Sequence, residues 1–152
     1  MLDCDPKETP MAAGTKLSKD MEATPAEINN YPYRSLVACV LFLSLCTRPD
    51  IAFTVMSLSR FLERPGPAMV KCVKRLIRYL KGTRMLGLRY SNSNNELLGG
   101  LFKATDRDFL CTFSDADWAA DSDTRKSVAA MVTMMSGAAI SWWPRLRIHG
   151  TV

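Results

Sequence analysis

The hydrophobic pattern of the chain changes its period at Gly82, and this change constrains the fold more than any other feature of the sequence. Before Gly82, apolar residues recur at steps of three and four, the spacing that keeps side chains on one face of an α-helix. After it, they alternate with polar residues, first at residues 86–90, which is the pattern of a strand. Helices that precede the strands, instead of alternating with them, predict an α+β chain.

Three helices are predicted before Gly82. Residues 24–27 (Thr-Pro-Ala-Glu) have the form of a capping box with proline at the first helical position, so the first helix is predicted over residues 25–46. Its later part is almost wholly apolar, which predicts burial on most sides. A second amphipathic helix is predicted over about residues 51–62 and a third over residues 67–81, where Gly82 stands in the usual place of a C-cap glycine.

Strands are predicted after Gly82, over residues 86–90, 109–116, 127–135 and 138–143, with residues 96–102 as a hairpin partner of the first. The sequence therefore divides into an extended arm (1–26), a helical segment (27–84) and a β segment (85–152). The predicted architecture is an arm, three helices and a small, mostly antiparallel and incomplete sheet.

A run of cations is the strongest sign of a binding partner. Nine Lys or Arg residues lie between Arg60 and Arg89, against the single acid Glu63, and the chain carries a net charge of +5. Within the third helix, five of them recur at helical spacing opposite the apolar stripe. The candidate nucleic-acid contacts are Lys71, Lys74, Arg75, Arg78 and Lys81. Such a stripe can follow a phosphate backbone without reading its sequence. The alternative is the solvated face of an ordinary amphipathic helix.

The cysteine and histidine residues do not predict a metal site or a cofactor site. The five cysteines form no CxxC pair and His149 is the only histidine, so no zinc site and no cofactor are predicted. Reduced and mostly buried thiols are expected instead. The three tryptophans (Trp118, Trp142 and Trp143) could stack on bases, but core positions are the more ordinary place for them.

No membrane span and no signal peptide are expected. The longest apolar run, residues 36–46, is interrupted by Ser44 and falls short of the roughly 20 residues that cross a bilayer. The first residues are acidic, and no apolar stretch occurs among the first thirty. An intracellular location, in the cytoplasm or nucleus, is the expectation from these residues.

Several segments in series resemble the polyprotein of copia-type LTR retrotransposons. They keep the order and the approximate spacing of that family over about residues 9–143. The segments are Tyr33-Arg34-Ser35-Leu36-Val37, residues 43–53 (LSLCTRPDIAF), Leu58-Ser59-Arg60-Phe61, residues 74–83 (KRLIRYLKGT), Gly87-Leu88-Arg89-Tyr90, residues 114–119 (SDADWA), Arg125-Lys126-Ser127 and Ala139-Ile140-Ser141-Trp142. A series of this kind is far more specific than any one motif.

The resemblance implies the C-terminal, thumb-like and connection part of a reverse transcriptase that runs into a ribonuclease H-like β segment. It also implies a segment that handles nucleic acid. Asp115 matches the first of the four carboxylates with which ribonuclease H holds two metal ions, and Asp117 follows on the same face of a regular strand. The family takes its next carboxylate from a helix beyond the third strand, and the sequence stops at Val152, so the set is expected to be incomplete.

No enzymatic activity is therefore expected, either as a nuclease or as a polymerase, whose paired-aspartate motif is absent from the sequence. The chain also departs from the family pattern at four places: an unfamiliar stretch over residues 100–112, a changed segment over residues 143–149, and two residue pairs. Met69-Val70 stands where the family has His-Trp, and Ala129-Ala130 where it has Gly-Tyr. Such changes are typical of a decayed or repurposed copy.

A second class of protein is similar to this one. Secreted RxLR-type effectors of oomycete plant pathogens include sequences that resemble this polyprotein segment. This resemblance implies delivery into a host plant cell, binding to a host protein, and a change in host defence or cell death. The chain has no exact Arg-x-Leu-Arg, and the nearest form, residues 78–81 (RYLK), lies inside a predicted helix whose leucine is expected to be buried.

Overall fold

A computed structural model of the protein describes residues 4–24, 26–90, 110–117, 123–124 and 127–146. An irregular arm with a single 3-10 turn, Lys19–Met21, precedes three α-helices and a three-stranded antiparallel sheet. The prediction of an α+β chain with an arm, three helices and a small incomplete sheet is thereby confirmed. The predicted strand at residues 96–102 lies outside the described residues.

The helices are α1 (Tyr33–Cys46), α2 (Ala52–Ser59) and α3 (Pro67–Gly82). A 3-10 turn, Pro49–Ile51, leads into α2. The apolar stripe predicted for the second helix is buried, and the Tyr33 hydroxyl donates a hydrogen bond of 2.8 Å to the Leu58 carbonyl, which ties α1 to α2. No helix in the described part of the chain is long and apolar enough to cross a membrane.

The predicted start of the first helix, at residue 25, is wrong. The Thr24 backbone N–H and hydroxyl both donate to Glu27 Oε2, at 2.6 and 2.8 Å, so the expected capping contact does form. Only a turn follows it, because Asn29 and Asn30 both take a positive φ, 52° and 50°. The left-handed conformation cannot continue a right-handed helix, and α1 begins only after Pro32.

The burial predicted for α1 is also wrong. Its buried residues are Tyr33, Val37, Val40 and Ser44, which form one stripe, while Phe42 and Leu45 are 68% and 64% exposed. Helices α2 and α3 both pack against α1, yet several of its apolar residues stay exposed, so the apolar composition of the segment overstates its burial.

The strands are β1 (Cys111–Ala116), β2 (Val128–Met135) and β3 (Ala138–Leu146), paired in the order β1-β2-β3. They confirm three of the predicted strands. Ser136 and Gly137, with φ of 51° and 86°, form the two-residue turn between β2 and β3. Positive φ at both positions matches the right-handed twist of a hairpin.

The strand predicted at residues 86–90 is wrong, because these residues are in neither helix nor strand. The segment is held by a side chain instead: the Tyr90 hydroxyl donates to the Ala139 carbonyl at 2.7 Å. Alternation of apolar residues therefore reflects here an extended segment that pairs with no strand among the described residues.

The buried core lies among the arm and the helices. Its members are Leu17, Tyr33, Val37, Val40, Ile51, Val55, Leu58, Phe61, Met69, Val70, Val73, Leu76 and Tyr79. Among the described residues of the sheet, Ala138 and Ala139 are buried. The sheet joins the helices through β3, where the Trp142 indole N–H donates to the Ser44 carbonyl at 2.6 Å and satisfies one of the free carbonyls at the end of α1.

Candidate nucleic-acid interface

Helix α3 presents an apolar face to the core and a cationic face away from it. Pro67 occupies its first turn, where a missing N–H costs nothing, and Gly66 is the N-cap. Met69, Val73 and Leu76 are fully buried. The five cations named from the sequence follow the other side of the same helix, and we call them the basic face.

The basic face is only partly open to solvent. Lys71, Lys74 and Lys81 are exposed, whereas Arg75 and Arg78 are half-buried. The Lys74 ammonium lies 5.1 Å from the centre of the Tyr31 ring, within the range of a cation–π contact. Lys71 forms no hydrogen bond or ion pair with any described residue, so it is the cation of the basic face most available to a partner.

The N-terminal arm covers the remaining cations. Lys81 Nζ donates to the Cys4 carbonyl at 2.8 Å, and Arg78 Nε donates to the Asp5 carbonyl at 2.6 Å. Arg75 donates through its terminal nitrogen to the Thr9 hydroxyl at 2.7 Å. The arm therefore supplies the oxygen acceptors that the cations would otherwise take from water.

The arm runs antiparallel to α3. Its first residues lie at the C-terminal end of the helix and Met21 lies at the N-terminal end, against Gly66. Both ends depend on a missing side chain: a Cβ on Gly82 would meet the Pro6 Cβ at 2.8 Å, and a Cβ on Gly66 would clash with the Met21 carbonyl oxygen. Glycine at these two positions lets the arm approach the helix.

The carboxylates that resemble a ribonuclease H set are placed on and just after β1. Both are exposed, and each already accepts a backbone hydrogen bond: Asp115 Oδ1 from the Ala116 N–H at 2.8 Å, and Asp117 Oδ1 from the Val128 N–H at 2.7 Å. Asp117 thus closes the β1–β2 ladder. In the described part of the chain, no three His, Cys, Asp or Glu residues lie close enough to hold a metal ion. These residues do not fit a two-metal site, which needs a set of converging oxygens.

Asp123 lies in a turn between β1 and β2. Its two oxygens accept hydrogen bonds from the Lys19 backbone N–H at 3.1 Å and from Arg60 at 3.2 Å. It therefore connects this turn to the arm and to the end of α2.

A partly buried ion pair is the main feature that sequence reasoning missed. Arg48, 6% exposed, binds both oxygens of Asp50 at 2.9 and 2.8 Å. It also donates to the carbonyl and the hydroxyl of Thr83, at 3.1 and 2.7 Å. The Tyr79 hydroxyl donates to Asp50 at 2.8 Å. No pattern in the sequence predicts that Arg48 caps the end of α3, 35 residues away.

Burial and hydrogen bonding act in opposite directions on Asp50. Burial raises the pKa of this carboxyl, but the hydrogen bonds from Arg48 and Tyr79 and the positive charge of Arg48 together lower it below its ordinary value. Hydrogen bonding to Asp50 likewise raises the pKa of the Arg48 guanidinium. The pair is therefore ionised in the folded protein at neutral pH, with the charge of each partner matched by the other.

The tryptophans and cysteines fall into different environments. Trp142 is half-buried, in agreement with a packing role, and Trp143 is 40% exposed; Trp118 lies outside the described residues. All five cysteines are free thiols, but Cys39 and Cys46 are exposed on α1, so the expectation of mostly buried thiols is wrong. Cys39 and Cys46 are exposed because both lie on the open face of α1.

Comparison with known proteins identifies two kinds of relative. The Retrovirus-related Pol polyprotein from transposon TNT 1-94 of Nicotiana tabacum is 38% identical over 151 residues, which cover 97% of this chain and 10% of that protein. The Retrovirus-related Pol polyprotein from transposon RE1 of Arabidopsis thaliana is 32% identical over 142 residues, 93% of this chain and 9% of that protein. The chain thus spans about a tenth of the Pol polyproteins it matches.

The second kind of relative is much shorter. Secreted RxLR effector protein 161 of Plasmopara viticola is 34% identical over 115 residues, which cover 76% of this chain and 72% of that protein. No family model and no solved structure matches the chain.

Proposed function

Since the chain belongs to the family of copia-type retrotransposon Pol polyproteins and is a fragment derived from such a sequence, we propose that it binds nucleic acid weakly and without sequence preference. The basic face of α3 carries this proposal. Its cations are grouped on one side of a single rigid helix, opposite a fully buried stripe. A row of that kind matches the regular negative charge of a phosphate backbone and makes no demand on base sequence.

The proposed binding predicts a strong dependence on salt and on Lys71. We expect Lys71→Glu to weaken binding of a fluorescent 20-nucleotide single strand several-fold, because a phosphate contact becomes a repulsion. Each lost contact is also expected to lower the slope of log affinity against log salt by about 0.7 for a single strand. Fluorescence anisotropy from 20 to 200 mM salt measures both quantities.

Arg34→Glu is the matched control, because it makes the same change of charge at an exposed position on α1. Its salt slope is expected to match that of the unmodified protein. Equal weakening by the two variants would show that net charge alone is responsible, and the proposal for α3 would then fail.

We further propose that this chain is not an enzyme. The observation behind this is the state of Asp115 and Asp117, which are exposed and already engaged with the backbone. With magnesium or manganese and an RNA–DNA hybrid, we expect cleavage no faster than that by the Asp115→Asn variant. Cleavage that the unmodified protein supports and that Asp115→Asn abolishes would contradict the proposal.

A second function is proposed on the strength of the shorter relative. A protein named as a secreted RxLR effector shares 34% identity over most of both chains. We propose as the second function that this chain acts in a host plant cell by binding and thereby modulates host defence or cell death. The two proposals place the chain differently, inside the cell that makes it or in the host. Transient expression of tagged protein in leaf tissue separates them: cell death equal to that of empty vector and of an unrelated control protein would reject the effector role.

A further inference from the structure

Three of the five cations proposed to bind phosphate already form hydrogen bonds with the arm. Residues 4–9, which we call the cover segment, give Lys81 and Arg78 two backbone carbonyls and give Arg75 a hydroxyl. The segment also brings the Asp5 carboxylate to 3.8 Å from Arg78. Oxygen acceptors and one negative charge are the groups that a phosphate backbone would present to this face.

The cover segment satisfies these cations only in part. Arg75 Nε is buried and has no acceptor among the described residues, although a buried donor is normally paired. The Asp5 side chain is 94% exposed, so its ion pair with Arg78 contributes little. The backbone bond from the Lys7 N–H to the Arg78 carbonyl is long, at 3.4 Å. A ligand richer in anionic oxygens would satisfy the same donors better.

The cover segment is also anchored separately from the rest of the arm. Leu17 is 8% exposed and belongs to the core, and Met11 packs against the core as well. Residues 4–9, in contrast, hold to α3 through the polar bonds above and through Pro6 at Gly82. They can leave the helix while the later part of the arm remains buried.

We propose that the cover segment is an intramolecular competitor of nucleic acid, which lies over Arg75, Arg78 and Lys81 and is displaced when phosphates bind the basic face. The proposal rests on the nucleic-acid binding proposed above. The observed affinity for nucleic acid is the affinity of the open form multiplied by the fraction of molecules in which the cover segment is open. Any change that opens the cover segment therefore tightens binding. Lys71, which is exposed and forms no hydrogen bond or ion pair with the described residues of the arm, is available for the first encounter.

Two substitutions open the cover without touching a cation. Gly82→Ala places a methyl group where the Pro6 Cβ lies at 2.8 Å, and alanine at the end of α3 favours the helix itself. Thr9→Val keeps the shape of the side chain but removes the acceptor for Arg75. Gly87→Ala is the control, because a Cβ at Gly87 meets nothing within 4 Å. We expect roughly fivefold tighter binding of the 20-nucleotide strand by Gly82→Ala, a smaller gain by Thr9→Val, and no change by Gly87→Ala.

Hydrogen exchange of the full chain supplies a readout that does not depend on affinity. Deuterium uptake over residues 4–9 is expected to rise when the oligonucleotide is added, and to be high already in Gly82→Ala. A fall in uptake would mean that the segment joins the contact with nucleic acid, which would overturn the proposal. If Lys71→Glu weakens binding but Gly82→Ala and Thr9→Val bind like the unmodified protein, the cover is rejected and the basic face stands. If no variant binds even at 20 mM salt, both proposals fail.

Discussion

Replacing Arg48 with methionine is expected to lower the free energy of unfolding by about 2 to 3 kcal/mol, because it leaves the Asp50 carboxylate partly buried without its counter-charge. The side chain of Asp50 is 27% exposed, so water compensates in part and the loss stays below that of a fully buried pair. The same change removes the donors to Thr83, which leaves the C-terminal end of α3 without its cap. Urea unfolding followed by tryptophan fluorescence measures the difference.

The control and the double-mutant cycle separate the ion pair from general effects. Arg84→Met removes an exposed arginine one residue beyond Thr83 and is expected to change stability by no more than about 0.5 kcal/mol. Combining Arg48→Met with Asp50→Asn is expected to recover part of the loss, because the unpaired charge disappears. Simple additivity of the two single changes would show that the pair is not coupled, contrary to the 2.8 and 2.9 Å contacts.

The same pair predicts how stability depends on pH. The pKa of Asp50 is lower in the folded protein than the ordinary carboxyl value, so the pair stabilises the fold fully above that ordinary value. This contribution is lost as the pH falls through the lowered pKa. The difference in stability between the unmodified protein and Arg48→Met is therefore expected to shrink as the pH falls below the ordinary carboxyl pKa of 3.8. A difference that grows in acid would have the wrong sign.

Replacing Gly66 with alanine is expected to destabilise the fold by about 3 kcal/mol, because overpacking here sets a side chain against backbone. The new Cβ would clash with the Met21 carbonyl oxygen and lie 2.8 Å from the carbonyl carbon. Neither atom is the end of a flexible side chain, so either α3 must shift at its N-cap or the arm must detach there. Thermal and urea unfolding give the magnitude, with Gly87→Ala expected to behave like the unmodified protein.

Hydrogen exchange then distinguishes the two ways in which the molecule can respond. If the arm detaches, residues 17–22 are expected to lose protection, since Leu17 leaves the core with them. If α3 shifts, protection is lost instead at the start of the helix, where the Val70 N–H donates to the Gly66 carbonyl at 3.1 Å. Unchanged stability and unchanged exchange would show that the arm does not pass this close to Gly66.

The sequence by itself determined the order of elements, most of their positions and the family. Helix α3 and the strands β1, β2 and β3 lie where periodicity placed them, because a strong repeat of apolar residues selects one backbone conformation locally. The prediction of element bounds from the sequence failed where two local signals competed. The capping residues Thr24 and Glu27 were identified correctly, yet the positive φ of Asn29 and Asn30 ended the turn that they began.

Only the tertiary structure decided where the arm lies and what Arg48 does. The bonds from Arg78 to Asp5 and from Lys81 to Cys4 join residues 73 and 77 positions apart, and the bond from Arg48 to Thr83 spans 35. Contacts of this kind leave no periodic trace, because the partners are chosen by packing after the helices have formed. The cations on α3 were therefore visible in the sequence, whereas the chain segment that covers them was not.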